Sequence, residues 1–225
     1  MKRPVYILIA LIAMAGFAYT QYLIFYAAAI ELDMFFNQKI LYYHVPSAFM
    51  LFLSTIICGI YSFRYVRKRD GRHDDVALAS GELAVLFGAI VLITGSIWGR
   101  AYWGVWWTWD ARLTMSLLLW MSMVGYVLVR RYGGPGSERI AAGLAIFAAA
   151  NIPLVYFSVR IWKTLHPESS VVPGLKGNMR LALWMSVLLF ACVFALLLTA
   201  RVAVARGTRQ VALAREAALD AGLVE

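Results

Sequence analysis

The chain has 225 residues, of which 62% are hydrophobic and 15% charged, with a mean hydropathy of +0.72 and a formal net charge of +9. That balance is typical of integral membrane proteins and excludes a soluble enzyme core. The positive charge does not point to nucleic acid, because lysine and arginine fall in short clusters that flank apolar runs, with no long basic tract.

Uncharged runs cover residues 4–30, 40–63, 83–99, 113–129, 140–159 and 181–200. At about 1.5 Å per helical residue, each is long enough, or nearly so, to cross a hydrocarbon core of about 30 Å. The pattern predicts an all-α integral membrane protein with six transmembrane helices, at about 4–30, 44–63, 79–98, 113–129, 140–159 and 181–200. These form a single membrane domain over residues 1–207. The remainder, 208–225, reads as a short cytoplasmic tail, a brief helix or a frayed end. The first run follows Lys2 and Arg3 and ends near Ala27-Ala28-Ala29, which imitates a secretory signal. Its 27 uncharged residues from Pro4 to Ile30 exceed the roughly 7 to 15 of a signal core, so it reads as the first span.

Orientation follows from the cations. Lys2 and Arg3, the five between Arg64 and Arg72, Arg130, Arg131 and Arg139, and Arg201, Arg206, Arg209 and Arg215 put 14 on one side. Lys39, Arg100, Arg112, Arg160, Lys163, Lys176 and Arg180 put 7 on the other. The positive-inside rule then places both termini in the cytoplasm, with the connections around 31–39, 98–112 and 160–180 facing outward. Cys58 and Cys192 lie within spans and belong to no CxxC or CxxCH pattern, so both read as packing thiols.

Three histidines separate by position. His73 sits in the charged inner segment Arg69-Asp70-Gly71-Arg72-His73-Asp74-Asp75 and reads as a solvated surface residue. His44, in Tyr42-Tyr43-His44-Val45-Pro46, and His166, ending Trp162-Lys163-Thr164-Leu165-His166, both belong to the outer side. Two imidazoles are too few for a structural zinc site, which wants four protein ligands, but enough to bind the two faces of a porphyrin iron. His44 opens the second span beside Pro46, whereas His166 lies in a connection of about twenty residues containing Pro167, Pro173, Gly174 and Gly177.

Between them in sequence, Trp98, Trp103, Trp106, Trp107 and Trp109 place five of the eight tryptophans within twelve residues. An interfacial aromatic belt would be spread over all span ends. This density, with Trp103, Trp106 and Trp107 at helical spacing, predicts a flat apolar shelf for a large planar ligand. At its end, Asp110 and Arg112 have two readings: an ion pair that pins the loop, and a guanidinium that meets an anionic group of the ligand. Glu82, the acid near the start of the third span, reads as reaching the inner interface or making a structural hydrogen bond. Asn151 and Pro153 predict a kink in the fifth span, the amide pairing with a freed carbonyl.

The segment Trp98 to Thr114, of the form W-G-x3-W-G-x-W-W-x-W-D-x-R-L-T, resembles the tryptophan-rich WWD signature of haem-handling membrane proteins. Together with Tyr43-His44-Val45-Pro46-Ser47-Ala48, Asn151-Ile152-Pro153, Tyr156-Phe157-Ser158-Val159 and Thr164-Leu165-His166, it is similar to the haem exporter protein C family of cytochrome c maturation, from about Lys39 to Arg201. The resemblance implies a periplasm-facing site in the bacterial inner membrane, with haem b held between His44 and His166 as axial ligands. The loop of Trp98, Trp103, Trp106, Trp107, Trp109 and Asp110 would shield the macrocycle, and Lys39 and Arg112 would meet the propionates. Implied partners are a periplasmic haem chaperone, ABC transporter subunits of the same membrane complex and membrane lipid, with no nucleic acid. The rival reading is a cytochrome b type anchor of a quinone-linked complex. Such anchors place ligands within the spans to bridge the membrane depth, whereas both outer histidines here lie at one surface.

Overall fold

The computed structural model describes residues 3–30, 34–134, 136–166 and 171–223; Lys2 and Pro167 lie outside them. It is 87% helix, with no strand among the described residues. Helix α1 (Arg3–Tyr22) runs into a π turn at Leu23–Ala27, and a 3-10 turn at Phe36–Ile40 leads into α2 (Leu41–Lys68). Then come α3 (Gly71–Trp103), α4 (Ala111–Tyr132), α5 (Ser137–Ile161), the single turn α6 (Val171–Gly174) and α7 (Gly177–Asp220). Among the described residues, six helices are long and apolar enough to cross a membrane.

Their connections alternate between two ends of the bundle, a histidine end and an arginine-rich end. Helix α2 packs against α3 and α5, α4 against α3 and α5, and α1 against α7. Lipid tails are as apolar as leucine, so helices in a membrane gain by close approach of small residues rather than by leaving water. The buried faces accordingly carry small residues, Ser54, Thr55, Cys58 and Gly59 on α2 and Ala77, Ser80, Gly81 and Ala84 on α3. Ser54 and Thr55 donate to their own helix, Ser54 to the Met50 carbonyl at 2.6 Å and Thr55 to that of Leu51 at 2.8 Å, so these two hydroxyls are satisfied without water. At Gly88 a Cβ would collide with the Trp120 ring, and the space allows the Trp120 indole N–H to donate to the Val85 carbonyl at 3.0 Å.

Two residues reverse the chain between α2 and α3. Arg69 takes the left-handed conformation at φ 56°, and Asp70 caps α3 by accepting from the Arg72 N–H at 2.9 Å. The Arg72 side chain and N–H both bond to that carboxylate and hold its pKa down at about 2.

Several helices continue well past the uncharged runs, because flanking charges pair across the bundle. Asp74 accepts from Arg130 of α4 at 2.6 Å, and Asp75 takes both oxygens to Arg209 of α7, at 2.9 and 2.8 Å. Glu82 is clasped in the same two-pronged way by Arg201, at 2.7 and 2.8 Å, instead of reaching alone to the interface. Arg209 lies in the segment expected to be a tail, and α7 is helical there through Asp220.

Candidate functional site

His44 lies one turn inside α2, which starts at Leu41, so Pro46 is also inside the helix rather than at its first position. The His44 ring faces α3, where its Nδ1 is 2.9 Å from the Thr94 hydroxyl oxygen. That hydroxyl donates its proton to the Ile90 carbonyl at 2.6 Å. Its oxygen must therefore accept, which assigns the proton of the imidazole to Nδ1 and leaves Nε2 with an available lone pair. Gly95 makes room for the ring: a Cβ there would stand 3.1 Å from His44 Cε1.

The pocket beside this ring encloses about 670 Å³ of empty space, its open mouth included, and His44, His166, Arg112, Trp98, Trp103 and Trp107 share its walls. Trp98 meets Trp103 edge to face at 5.0 Å and stacks on Tyr102 at 5.6 Å. Trp107 is half-buried, and its indole N–H has no hydrogen-bond partner among the described residues. A buried donor in a pocket wall is costly until a ligand accepts from it.

The expected single helical face of Trp103, Trp106 and Trp107 does not form. Helix α3 ends at Trp103 because Gly104 turns left-handed at φ 78°, and the following residues to Asp110 are not helical. Trp106 is 61% exposed and Trp109 77% exposed, and neither lines the pocket. The tryptophan segment thus divides into inward indoles, at 98, 103 and 107, and outward ones, at 106 and 109.

Asp110 and Arg112 do not form the ion pair read from their spacing; among the described residues each has other partners. Asp110 caps α4, accepting from the Leu113 N–H at 3.0 Å and the Thr108 hydroxyl at 3.1 Å, and it also accepts from the Leu165 N–H at 3.4 Å. That last bond ties the tryptophan segment to the residue before His166. Arg112 crosses to α5, donating from one terminal nitrogen to the Val155 carbonyl at 2.6 Å. Lys39 is buried away from the pocket, its ammonium donating to the Ala28 carbonyl at 3.1 Å. His73 packs against the Tyr61 ring at 5.7 Å near the arginine-rich end. Asn151 donates to the Met115 carbonyl of α4 at 3.0 Å rather than to a carbonyl of its own helix.

Thr94 and Gly95 escaped the sequence reading, although Thr94-Gly95-Ser96 is a small, polar interruption of an apolar span. The donor set has a definite chemistry: two imidazoles, a guanidinium and three indole walls around one concavity. No group of three or more histidine, cysteine, aspartate or glutamate side chains suited to a metal ion occurs among the described residues.

The fold and pocket define a multi-pass α-helical membrane protein with a two-histidine, indole-walled site at one end of its bundle. The family model of Heme exporter protein C matches residues 1–221, and the chain belongs to that family. It is 36% identical over 164 residues to Heme exporter protein C of Bradyrhizobium diazoefficiens, covering 71% of this chain and 61% of that one. To Heme exporter protein C of Escherichia coli K12 it is 33% identical over 172 residues, covering 69% and 66%. A ccmC-like mitochondrial protein of Marchantia polymorpha, named for cytochrome c biosynthesis, is 32% identical over 150 residues, covering 67% and 64%. The matched stretch spans a little under two thirds of the length of these relatives.

Proposed function

We propose that this protein handles haem for cytochrome c biogenesis, holding haem b between His44 and His166 and presenting it to a periplasmic haem chaperone. The observation that carries the reading is the convergence of both outer histidines, Arg112 and three inward indoles on one pocket. Haem is the cargo here. His44 offers Nε2 to one face of the iron, and His166 offers an imidazole to the other. Trp98, Trp103 and Trp107 cover the macrocycle. Arg112 spends one terminal nitrogen on Val155 and has its remaining N–H groups for a propionate, and the Trp107 N–H supplies a further donor. Lys39 donates to the Ala28 carbonyl and does not line this pocket.

The cation asymmetry of 14 to 7 supports a bacterial inner-membrane protein with cytoplasmic termini and the histidine end in the periplasm. Trp106 and Trp109, exposed beside the pocket mouth, are suited to meet the chaperone, while ABC transporter subunits neighbour the chain within the membrane. The test is the absorption spectrum of the purified protein and of a variant with both His44→Ala and His166→Ala. A haem Soret band present in the first and lost in the second is expected. An unchanged spectrum in the double variant would sink the reading.

A further inference from the structure

At the arginine-rich end, α2 and α5 border a groove of about 1360 Å³ of open space, roughly twice that of the histidine pocket. Its floor is the contact of Gly59 with α5, where a Cβ would stand 2.8 Å from that of Ala149, so the helices nearly touch and the channel runs outside the contact. Ile56, Ile60 and Ile146 form its apolar stretch, and Arg64, Arg67 and Lys68 its polar end. Ile56, Ile60, Arg64 and Lys68 follow one another at four-residue spacing, so a single stripe of α2 is apolar for one part and cationic for the next. From Ile56 to Lys68 the stripe covers about 18 Å, long enough to run from acyl-chain depth to the headgroup level.

Those three cations have no carboxylate partner among the described residues, whereas Arg72, Arg130, Arg201 and Arg209 each have one. Arg64 instead lies over the Tyr61 ring at 5.2 Å and Arg67 over Phe63 at 5.7 Å. Cations needed only to orient a span would not have to share one stripe with an apolar groove. We infer that this groove is a binding site for an anionic glycerophospholipid, its phosphate met by Arg64, Arg67 and Lys68 and one acyl chain laid along Ile56, Ile60 and Ile146. The charge complementarity and the apolar-to-cationic order along the helix favour a lipid over the helix of a neighbouring protein.

Native mass spectrometry of the full-length protein, titrated with phosphatidylglycerol and with phosphatidylcholine, tests this. Preferential retention of phosphatidylglycerol is expected. Arg64→Gln, Arg67→Gln and Lys68→Gln together should weaken it by roughly fivefold per cation, on the order of a hundredfold in all. Removing cations from Arg131 and Arg139, exposed at the same end, should leave it unchanged. A second variant keeps every charge and fills the groove, with Ile60→Trp and Ile146→Trp; it should also lose the lipid. Equal retention of the two lipids, equal loss on neutralising Arg131 and Arg139, or undiminished binding by the filled variant overturns the inference. So does cross-linking from position 60 that captures a protein helix in place of lipid.

Discussion

The Thr94 hydroxyl oxygen stands 2.9 Å from Nδ1 of His44 while its proton is committed to the Ile90 carbonyl, so one side chain of α3 sets which nitrogen of α2's histidine stays free. Outer partners of this kind commonly hold a ligating ring in one tautomer and orientation.

Thr94→Val keeps the shape and removes the acceptor. Haem affinity in a titration of the purified protein should fall by roughly 10-fold to 100-fold, and Thr94→Ser should restore it. In the haem-free protein, nitrogen chemical shifts of His44 should change from a single Nδ1–H form to a mixture in Thr94→Val. An unaltered tautomer would remove Thr94 from this role.

The two histidines should differ in how long they keep hold. His44 is seated in α2 against Thr94 and Gly95, while His166 lies beyond the end of α5, joined to the tryptophan segment through the Leu165 bond to Asp110. His166→Ala should keep some five-coordinate haem and His44→Ala less, as read from the Soret band after identical purification. The opposite order would identify His44 as the ligand that yields.

The tryptophans should separate into two phenotypes. Replacing Trp103 and Trp107 with alanine removes pocket wall worth about 1.5 to 3 kcal/mol for each ring, so bound haem should largely disappear. Replacing Trp106 and Trp109 should leave haem bound and slow its transfer to the proposed chaperone. Equal haem loss in both pairs would contradict the inward and outward division.

Glu82 and Arg201 should behave as a unit. Their side chains are 31% and 39% exposed, so leaving either one unpaired should cost roughly 1 to 3 kcal/mol of stability, below the range for fully buried pairs. Thermal unfolding of Glu82→Gln, Arg201→Gln and the double variant forms the cycle, and the double should recover part of the loss. Strict additivity would mean that the pair contributes nothing as a pair.

Reporter fusions after residues 70, 135 and 225 should be cytoplasmic, and those after 35, 105 and 170 periplasmic. A periplasmic signal at 225 would turn the histidine end toward the cytosol and remove the proposed chaperone from reach.

The charge pattern made the number of spans legible, because an unpaired charge is expensive in lipid and therefore marks where apolar runs stop. It did not mark where helices stop. Asp74, Asp75 and Glu82 find arginines 56 to 134 positions away, and such pairs let α3, α4 and α7 continue as helices through charged sequence. At the site, residue type and side of the membrane singled out His44, His166 and Arg112, which do share a pocket. Which tryptophans join them depended on Gly104, whose left-handed turn cancels the helical spacing. Lys39 and Asp110 show what residue type alone does not: each bonds to nearby backbone, Ala28 in one case and the start of α4 in the other.

His44 lies twenty-five residues before Arg69, and Gly95 lies twenty-five after Asp70, so the two-residue reversal itself sets them side by side. The placing of His44 against its hydroxyl acceptor is thus a product of hairpin register, and a single inserted residue in either helix would rotate one of them by about 100°. This has a consequence for biogenesis. Once α3 has been synthesised, the His44 half of the site can be complete within a local hairpin, whose closure needs only a short turn. Arg112, Trp107 and His166 enter later, brought by helices that dock onto that hairpin. The order of translation therefore seats His44 first and brings His166 to it last.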